Sequence, residues 1–251
     1  MREAIIALVV FLCLLAASLG SLFTYERLPG RYRGDDTQAI VRLVATLFVV
    51  MTSLVLGLMV NSAKSRFDAV NREVRAFAAD LILFDRTLAQ FGADAEDVRK
   101  RLLAYAERAS RGASAGQWTG DTPGSKTSEE LLDDVGNGLR SLHPRDAEDT
   151  ALTAEARQEF RKLVELRWDL IEEGERSIPL PFLCMLTAWL VLIFASFGYR
   201  APRNPIIAIV LVASAVLISA LLYLILDLDA PLGGPIHASP APLQRAIAEM
   251  R

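Results

Sequence analysis

The sequence predicts an all-α membrane protein with four transmembrane helices and a central cytoplasmic helical bundle. Four stretches, residues 5–23, 39–60, 178–198 and 205–226, are apolar over the length that a bilayer requires. The 251-residue chain would hold too little polar sequence to cover four such helices in water. Between the second and third stretches, apolar residues recur at helical spacing, and no segment alternates as a strand does.

These stretches divide the chain into four predicted parts. Transmembrane helices 1 and 2 occupy residues 1–61, a cytoplasmic helical domain residues 62–177, transmembrane helices 3 and 4 residues 178–230, and a cytoplasmic tail residues 231–251. The short loop inside each helix pair carries fewer Lys and Arg than the opposite side, which favours a cytoplasmic domain and cytoplasmic termini. Residues 1–21 also fit a cleaved signal peptide, because Arg2 and an apolar run precede several small residues.

The second transmembrane helix is predicted to continue into the cytoplasm as one rod. After the span, eight apolar residues recur with alternating spacings of three and four, which is a heptad seam typical of a coiled coil: Phe67, Val70, Val74, Phe77, Leu81, Phe84, Leu88 and Phe91. No proline or glycine interrupts residues 60–91, so the rod extends about 80 Å from Ala39 to Phe91. The seam packs either inside the chain's own domain or against a second copy, and both interpretations remain open.

Three further helices complete the predicted domain. Gly92 ends the rod, and Asp94 is suited to cap a helix whose apolar face is Val98, Leu102, Tyr105 and Ala109. Thr127 and Glu130 form a capping box for a short helix, which Gly136 and Gly138 weaken. Past Pro144, a last helix runs up to the prolines at 179 and 181. Residues 110–126, which include Trp118, read as a loop.

The second span carries the candidate pore-lining residues. Extending the heptad seam backwards through the span gives a stripe that contains most of the polar residues of the span. Its members are Arg42, Thr46, Val49, Ser53, Leu56 and Val60. A stripe that faces lipid is expected to be uniformly apolar, so this one is expected to face protein or water. Arg42 either extends its side chain to the outer membrane interface or, in a ring of subunits, forms a positively charged pore entrance. In the second case, the apolar members of the stripe form constrictions that close the pore by dewetting.

Two aspartates at the cytoplasmic end of the fourth span, Asp227 and Asp229, are a candidate cation or salt-bridge site. Lys64 and Arg66 leave the membrane at the same level, and structural pairing with them is the simpler interpretation. No other cluster suggests a metal site, and no catalytic motif or glycine-rich phosphate loop is visible, so we expect neither cofactor nor enzymatic activity. The net charge of -3, without a long basic block, gives no sign of nucleic-acid binding.

Two blocks resemble the bacterial bestrophin-like domain family. Residues 54–86, LVLGLMVNSAKSRFDAVNREVRAFAADLILFDR, and the following TLAQFGADAEDVRKRL form the first, and residues 224–247, LILDLDAPLGGPIHASPAPLQRAI, form the second. The family is distantly similar to bestrophins, pentameric chloride channels whose second membrane helix lines the pore. Where bestrophins carry Asn-Pro-Phe-Gly, this chain has Ala230, Pro231, Leu232 and Gly233, and the calcium-binding acidic cluster of animal bestrophins has no counterpart.

The resemblance implies a homo-oligomer, with a pentamer as the expected form, in a bacterial inner membrane. Our first functional hypothesis is an ion channel that conducts inorganic anions, chloride among them, through a pore lined by the second helix. The alternative, from another class, is a non-conducting membrane scaffold or signalling adaptor whose cytoplasmic domain binds a partner protein. A small-solute transporter is a weaker third hypothesis, because the chain shows no inverted repeat or broken helix.

Overall fold

The computed structural model describes residues 2–24, 35–114, 127–173, 178–199 and 204–251, and most of these residues are helical, without a strand among them. The helices are α1 (Arg2–Thr24), α2 (Asp35–Gln90), α3 (Glu96–Ser114), α4 (Ser128–Arg140), α5 (Ala147–Glu173), α6 (Leu180–Gly198), α7 (Pro205–Leu228) and α8 (Ala241–Met250). The predicted all-α class is confirmed. Four of these helices, α1, α2, α6 and α7, are long and apolar enough to cross a membrane.

The predicted continuation of the second span is confirmed, because α2 is one unbroken helix of 56 residues. At 1.5 Å per residue its length is about 84 Å. It ends where Gly92 takes a positive φ of 64°, a conformation that favours glycine. Asp94 lies in a short 3-10 helix, Gly92–Ala95, ahead of α3, and its carboxylate pairs with Arg145.

The chain forms two compact units, and α2 contributes residues to both. The first, the membrane unit, comprises Met1–Ser65 and Arg176–Asp229; the second, the polar unit, comprises Arg66–Glu175 and Ala230–Arg251. In the membrane unit, α1 packs on α6 and α7, and α2 joins the same apolar core. The α1 and α6 helices approach so closely that a Cβ at Gly198 would overlap the Ser21 hydroxyl and the Ser18 carbonyl oxygen.

The polar unit buries the heptad seam within the single chain. Six seam residues are almost fully buried in one core with residues of α3, α4, α5 and α8: Val70, Val74, Phe77, Leu81, Phe84 and Leu88. The Phe77 ring meets Tyr105 of α3 at a centroid distance of 6.3 Å, and Phe84 meets Phe160 of α5 at 6.0 Å. Of the two interpretations left open, packing inside the chain's own domain is therefore the one observed.

The capping box of α4 is confirmed, and its two glycines have a packing role. The Thr127 amide donates to the Glu130 carboxylate at 2.8 Å, and the Glu130 amide donates to the Thr127 hydroxyl at 3.0 Å. A Cβ at Gly136 would lie 2.9 Å from the Phe160 ring, and one at Gly138 would lie 3.1 Å from a Val98 methyl. The glycines that weaken α4 as an isolated helix let its backbone pack closely against both neighbours.

Candidate functional site: the membrane half of the second helix

One side of α2 inside the membrane unit is covered by the chain itself. The buried side chains follow one another at helical spacing and comprise Ala45, Thr52, Leu56, Met59 and Ala63. The Phe48 ring, on the same side, contacts Trp189 of α6 edge-on at a centroid distance of 5.5 Å. This side of α2 is the one that holds it in the membrane unit.

The opposite side of α2 is uncovered in the single chain. Its large apolar residues are about two-thirds exposed, with Leu43 at 64%, Val50 at 63% and Leu54 at 66%. Ile40 and Leu47 lie on the same side and are also exposed, so the spacing from Ile40 to Leu54 is three, four, three and four. A stripe of this length needs lipid, water or another copy of the chain against it. We call these five residues the outward stripe.

The predicted pore-lining residues divide between the two sides. Arg42, Thr46, Val49 and Ser53 are exposed in the single chain. Leu56, by contrast, is only 8% exposed, and it lies with the half-buried Val60 in the apolar core of the membrane unit. Leu56 and Val60 thus belong to a core that also holds residues of α1, α6 and α7, and the assignment of all six residues to a pore stays a prediction.

The hydroxyl groups near the outward stripe are satisfied by their own helix. Thr46 donates to the Arg42 carbonyl at 2.9 Å, and Ser53 donates to the Val49 carbonyl at 2.9 Å. The buried Thr52 donates in the same way to the Phe48 carbonyl, at 2.7 Å. Because these protons are already donated, Thr46 and Ser53 do not present an O–H donor to a passing ion, and the exposed side of α2 is apolar in effect.

The two aspartates at the end of α7 are buried, with Asp227 fully inaccessible and Asp229 at 3% exposure. The Asp229 carboxylate accepts a hydrogen bond from the Ile178 amide at 3.1 Å, immediately before α6 begins. This bond joins the end of α7 to the segment that leads into α6, and it gives the half-buried Ile178 amide an acceptor. Among the described residues, no group of three or more His, Cys, Asp or Glu is placed to hold a metal ion.

Sequence reasoning missed the outward stripe itself. Its residues are all apolar, so they resemble lipid-facing residues and carry no polar mark in the sequence. The sequence did carry one signal, the heptad spacing of Ile40, Leu43, Leu47, Val50 and Leu54. These residues form a second seam, on the side of α2 opposite to the seam that is buried in the polar unit.

The four apolar helices, with no strand among the described residues, define an all-helical membrane protein. The family model described as Bestrophin-like domain matches residues 12–243, and the chain belongs to that family. The predicted resemblance is confirmed.

Solved structures agree with this assignment at the level of the fold. A variant of a bacterial bestrophin homologue from Klebsiella pneumoniae has 14% identity to the chain, with 97% of each chain covered and a TM-score of 0.67. A second variant has 13% identity, 97% coverage of each chain and a TM-score of 0.66. The same homologue phased with zinc has 13% identity and a TM-score of 0.64, covering 97% of this chain and 96% of that one. No curated protein matches the sequence.

Proposed function

We propose that the chain forms a homo-oligomeric channel that conducts inorganic anions, with α2 lining the pore. The observation that carries the proposal is the uncovered side of α2: a long membrane helix exposes the outward stripe and Arg42, whereas its opposite side, with Leu56 and Met59, is buried. Membership of the Bestrophin-like family supports a channel-like protein. In a ring of copies, this side of α2 faces the axis or the neighbouring copy.

The chemistry of that side favours anions. Arg42 supplies a positive charge at one end of the span, and a ring of such charges raises the local anion concentration. Further along the helix, Val50 and Leu54 form apolar rings, which a weakly hydrated anion crosses at lower cost than a small, strongly hydrated cation. The charge bias of the loops supports a cytoplasmic location for the polar unit. The family resemblance supports a bacterial inner membrane, and the proposal gives no residue a catalytic role.

Chloride flux tests the conduction proposal. Purified protein in liposomes should pass chloride, and Arg42→Glu should reverse or weaken the preference for anions over cations. Arg157→Glu, the same charge change at an exposed position of α5 in the polar unit, is the matched control and should leave the preference unchanged. An oligomer with no central water path, or an equal effect of both substitutions, would refute the proposal.

Cysteine accessibility tests the outward stripe separately from conduction. Cys13 and Cys184 are exposed and must first be replaced by serine. Single cysteines at Leu43, Val50 and Leu54 should then react with a membrane-impermeant, water-soluble thiol reagent, because water reaches a pore. A cysteine at Leu217 of α7, which is 70% exposed and faces lipid under the proposal, should stay unreacted. If all four positions behave alike, α2 does not line an aqueous path.

The adaptor hypothesis keeps one specific observation in its favour. In the described part of the polar unit, two large apolar side chains are exposed, Leu83 of α2 at 52% and Trp168 of α5 at 54%. The Arg167 guanidinium lies over the Trp168 ring, 5.9 Å from its centroid. Recovery of one soluble protein in stoichiometric amount with the wild type, but not with Trp168→Ser, would favour an adaptor. A homo-oligomer without such a partner favours the channel.

A further inference from the structure

The exposed side of α2 in the polar unit carries a gap between side chains. Arg72, Arg75, Ala76 and Ala79 are all exposed there. Their spacing of three, four and seven residues from Arg72 places them around one point of the helix surface. In packed helices, four residues in this arrangement form the hole that receives a knob side chain from a facing helix. Because two of the four are alanines, this hole has room for a large side chain. We call these four residues the α2 hole.

A large side chain without full cover lies on α5. Trp168 is 54% exposed, even though the Arg167 guanidinium lies over its ring. Asp169 and Glu172, in the next helical turn, are exposed beside it. Trp and Arg are among the residue types that are enriched at the energetic centres of protein interfaces. An exposed tryptophan and two exposed arginines on another helix therefore point to a surface that a protein covers. We call Trp168, Asp169 and Glu172 the Trp168 patch.

The hole and the patch carry opposite charges that are not used within the chain. Other charged side chains of the polar unit form ion pairs, such as Lys162 with Asp80 and Arg251 with Glu107. In the part of the chain that the structure describes, neither arginine of the α2 hole forms an ion pair, and neither carboxylate of the Trp168 patch does. Two positive and two negative groups are thus available to a partner of complementary charge, and a second copy of this chain carries both sets.

The α2 hole and the Trp168 patch lie at overlapping levels of the polar unit, measured along α2. The helices α2 and α5 run antiparallel, because Lys162 donates to Asp80 at 3.0 Å while Phe160 meets Phe84. At 1.5 Å per residue, the α2 hole extends about 2–12 Å from Asp80, and the Trp168 patch extends about 9–15 Å from Lys162 in the same direction. Copies with one orientation in a membrane are related by an axis along the bilayer normal, so groups that meet must lie at matching levels.

We propose that Trp168 of one copy inserts into the α2 hole of a neighbouring copy. Asp169 then pairs with Arg75 of that neighbour, and Glu172 pairs with its Arg72. Each copy contributes a hole from one helix and a patch from another, so the contact is head-to-tail and repeats around a ring. The inference rests on the proposed homo-oligomer and adds to it a contact between polar units, outside the core that each chain completes alone.

Disulfide cross-linking tests the contact directly. Cys13 and Cys184 are replaced by serine, and Arg72→Cys is combined with Glu172→Cys in one chain. Oxidation of this variant in liposomes should give a ladder of covalent oligomers beyond the dimer, because each chain is joined to two neighbours. Arg72→Cys with Gln158→Cys is the matched control. Gln158 is exposed on α5 but lies about 18 Å from the level of Arg72, so this variant should give no ladder.

Charge exchange tests the ion pairs without cysteines. Arg72→Glu with Arg75→Glu places like charges opposite each other. It should raise, by about 10-fold or more, the protein concentration at which half of the chains are oligomeric in detergent. Adding Asp169→Arg and Glu172→Arg should restore assembly, because opposite charges meet again, and this recovery also shows that the substituted chains fold.

A second double substitution is the control for net charge. Arg111→Glu with Arg157→Glu makes the same change at exposed positions outside the hole and the patch, and it should leave assembly unchanged. Light scattering after size-exclusion chromatography, over a range of protein concentrations, measures all of these variants.

The contact is overturned if an oligomer gives no ladder or gives the same ladder with the control pair, and the channel proposal then stands without it. It is also overturned if Arg72→Glu with Arg75→Glu assembles normally, or if the exchanged charges restore nothing. A soluble protein that binds the wild type but not Trp168→Ser would show that the patch serves a different partner. A monomeric chain would refute the contact and the homo-oligomer together. A ladder in liposomes that pass no chloride would support the contact and refute conduction alone.

Discussion

The two halves of α2 differ in how completely a single chain covers them. In the polar unit, Val74, Leu81, Phe84 and Leu88 are fully buried. In the membrane unit, the same helix buries a thinner set of side chains and leaves the outward stripe about two-thirds exposed. One half of α2 is thus buried in a core that the single chain completes, whereas the other half keeps an exposed apolar surface.

Because of this difference, substitutions in the two halves of α2 should affect different properties of the protein. The polar half needs no second copy to complete its core, so substitutions there should act on the stability of each chain. The membrane half leaves a surface to be completed by lipid, water or another copy, so substitutions on its outward stripe should act on assembly and conduction. The four predictions below test where that boundary lies.

The largest expected effect is in the core of the polar unit. Phe84→Ala removes a fully buried ring that packs against Phe160, and it should lower the free energy of unfolding by about 3–5 kcal/mol. Leu83→Ala, at the neighbouring exposed position, should change it by less than about 0.5 kcal/mol. Urea unfolding of the protein in detergent, followed by circular dichroism, measures both. Equal effects would contradict a core completed by the single chain.

The next effect concerns a buried ion pair in the same unit. Arg99 donates two hydrogen bonds of 2.8 Å to the buried Asp85, and this pairing raises the pKa of Arg99. Arg99→Met should cost about 1.5–3 kcal/mol, because Asp85 is left buried without its charged partner. The exposed pair of Arg86 with Glu249, at 3.5 Å, is the comparison, and Arg86→Met should cost less than about 1 kcal/mol. The same urea titration distinguishes them.

In the membrane unit, the contact between α1 and α6 should be the sensitive point. Gly198→Ala places a methyl group against Ser21 and Ser18 and should cost about 1–3 kcal/mol. Gly20→Ala is the control on α1, since a Cβ at Gly20 has no heavy atom within 4 Å. Unfolding by a denaturing detergent measures this unit. If both variants are unaffected, the membrane unit relies on contacts other than the close approach of these helices.

The smallest effect is a pH dependence in the polar unit. Burial raises the pKa of Glu159 above its ordinary value of 4.5, although a hydrogen bond from Thr87 partly opposes the change; Glu155 and Asp80 add to it, and Lys162 opposes it. A carboxyl group of this kind contributes stability below pH 4.5, and that contribution is lost as the pH rises through the raised pKa.

Glu159→Gln should therefore flatten the fall in stability from pH 4.5 upward and raise stability slightly at neutral pH. Urea midpoints measured at several pH values provide the test. Glu165→Gln, at an exposed position further along α5 whose carboxylate is not among the groups that act on Glu159, is the control and should retain the slope. A steeper slope in the Glu159 variant would mean that its carboxylate is stabilised by its surroundings.

Most of the fold was predictable because the length of an apolar segment and the heptad spacing of apolar residues depend only on residues that are close in sequence. The four spans, the unbroken α2 and the capping box of α4 all follow from such patterns. The packing of the seam inside its own unit was not predictable, because the same spacing serves a core or a dimer. Likewise, the acceptor role of Asp229 toward the Ile178 amide depends on a contact between distant segments, which spacing does not reveal.

The burial of Leu56 and the partial burial of Val60 have a geometric cause. A stripe with a strict 3.5-residue period drifts by about 20° per heptad around a straight helix of 3.6 residues per turn. The stripe is buried at Ala63 and Leu56, half-buried at Val60, and exposed from Ser53 back to Arg42. Extending the seam as a straight line ignored this drift and mixed two sides of α2 in one proposed pore surface.

The two glycines of α4 have a consequence for the order of events during folding. With 13 residues and two glycines, α4 is too short and too weak in helix propensity to persist alone in water. It acquires its structure only when Phe160 and Val98 are in place beside Gly136 and Gly138. Its amide protons should therefore exchange with solvent earlier than those of the seam in α2, so α4 opens before the α2 core and closes after it.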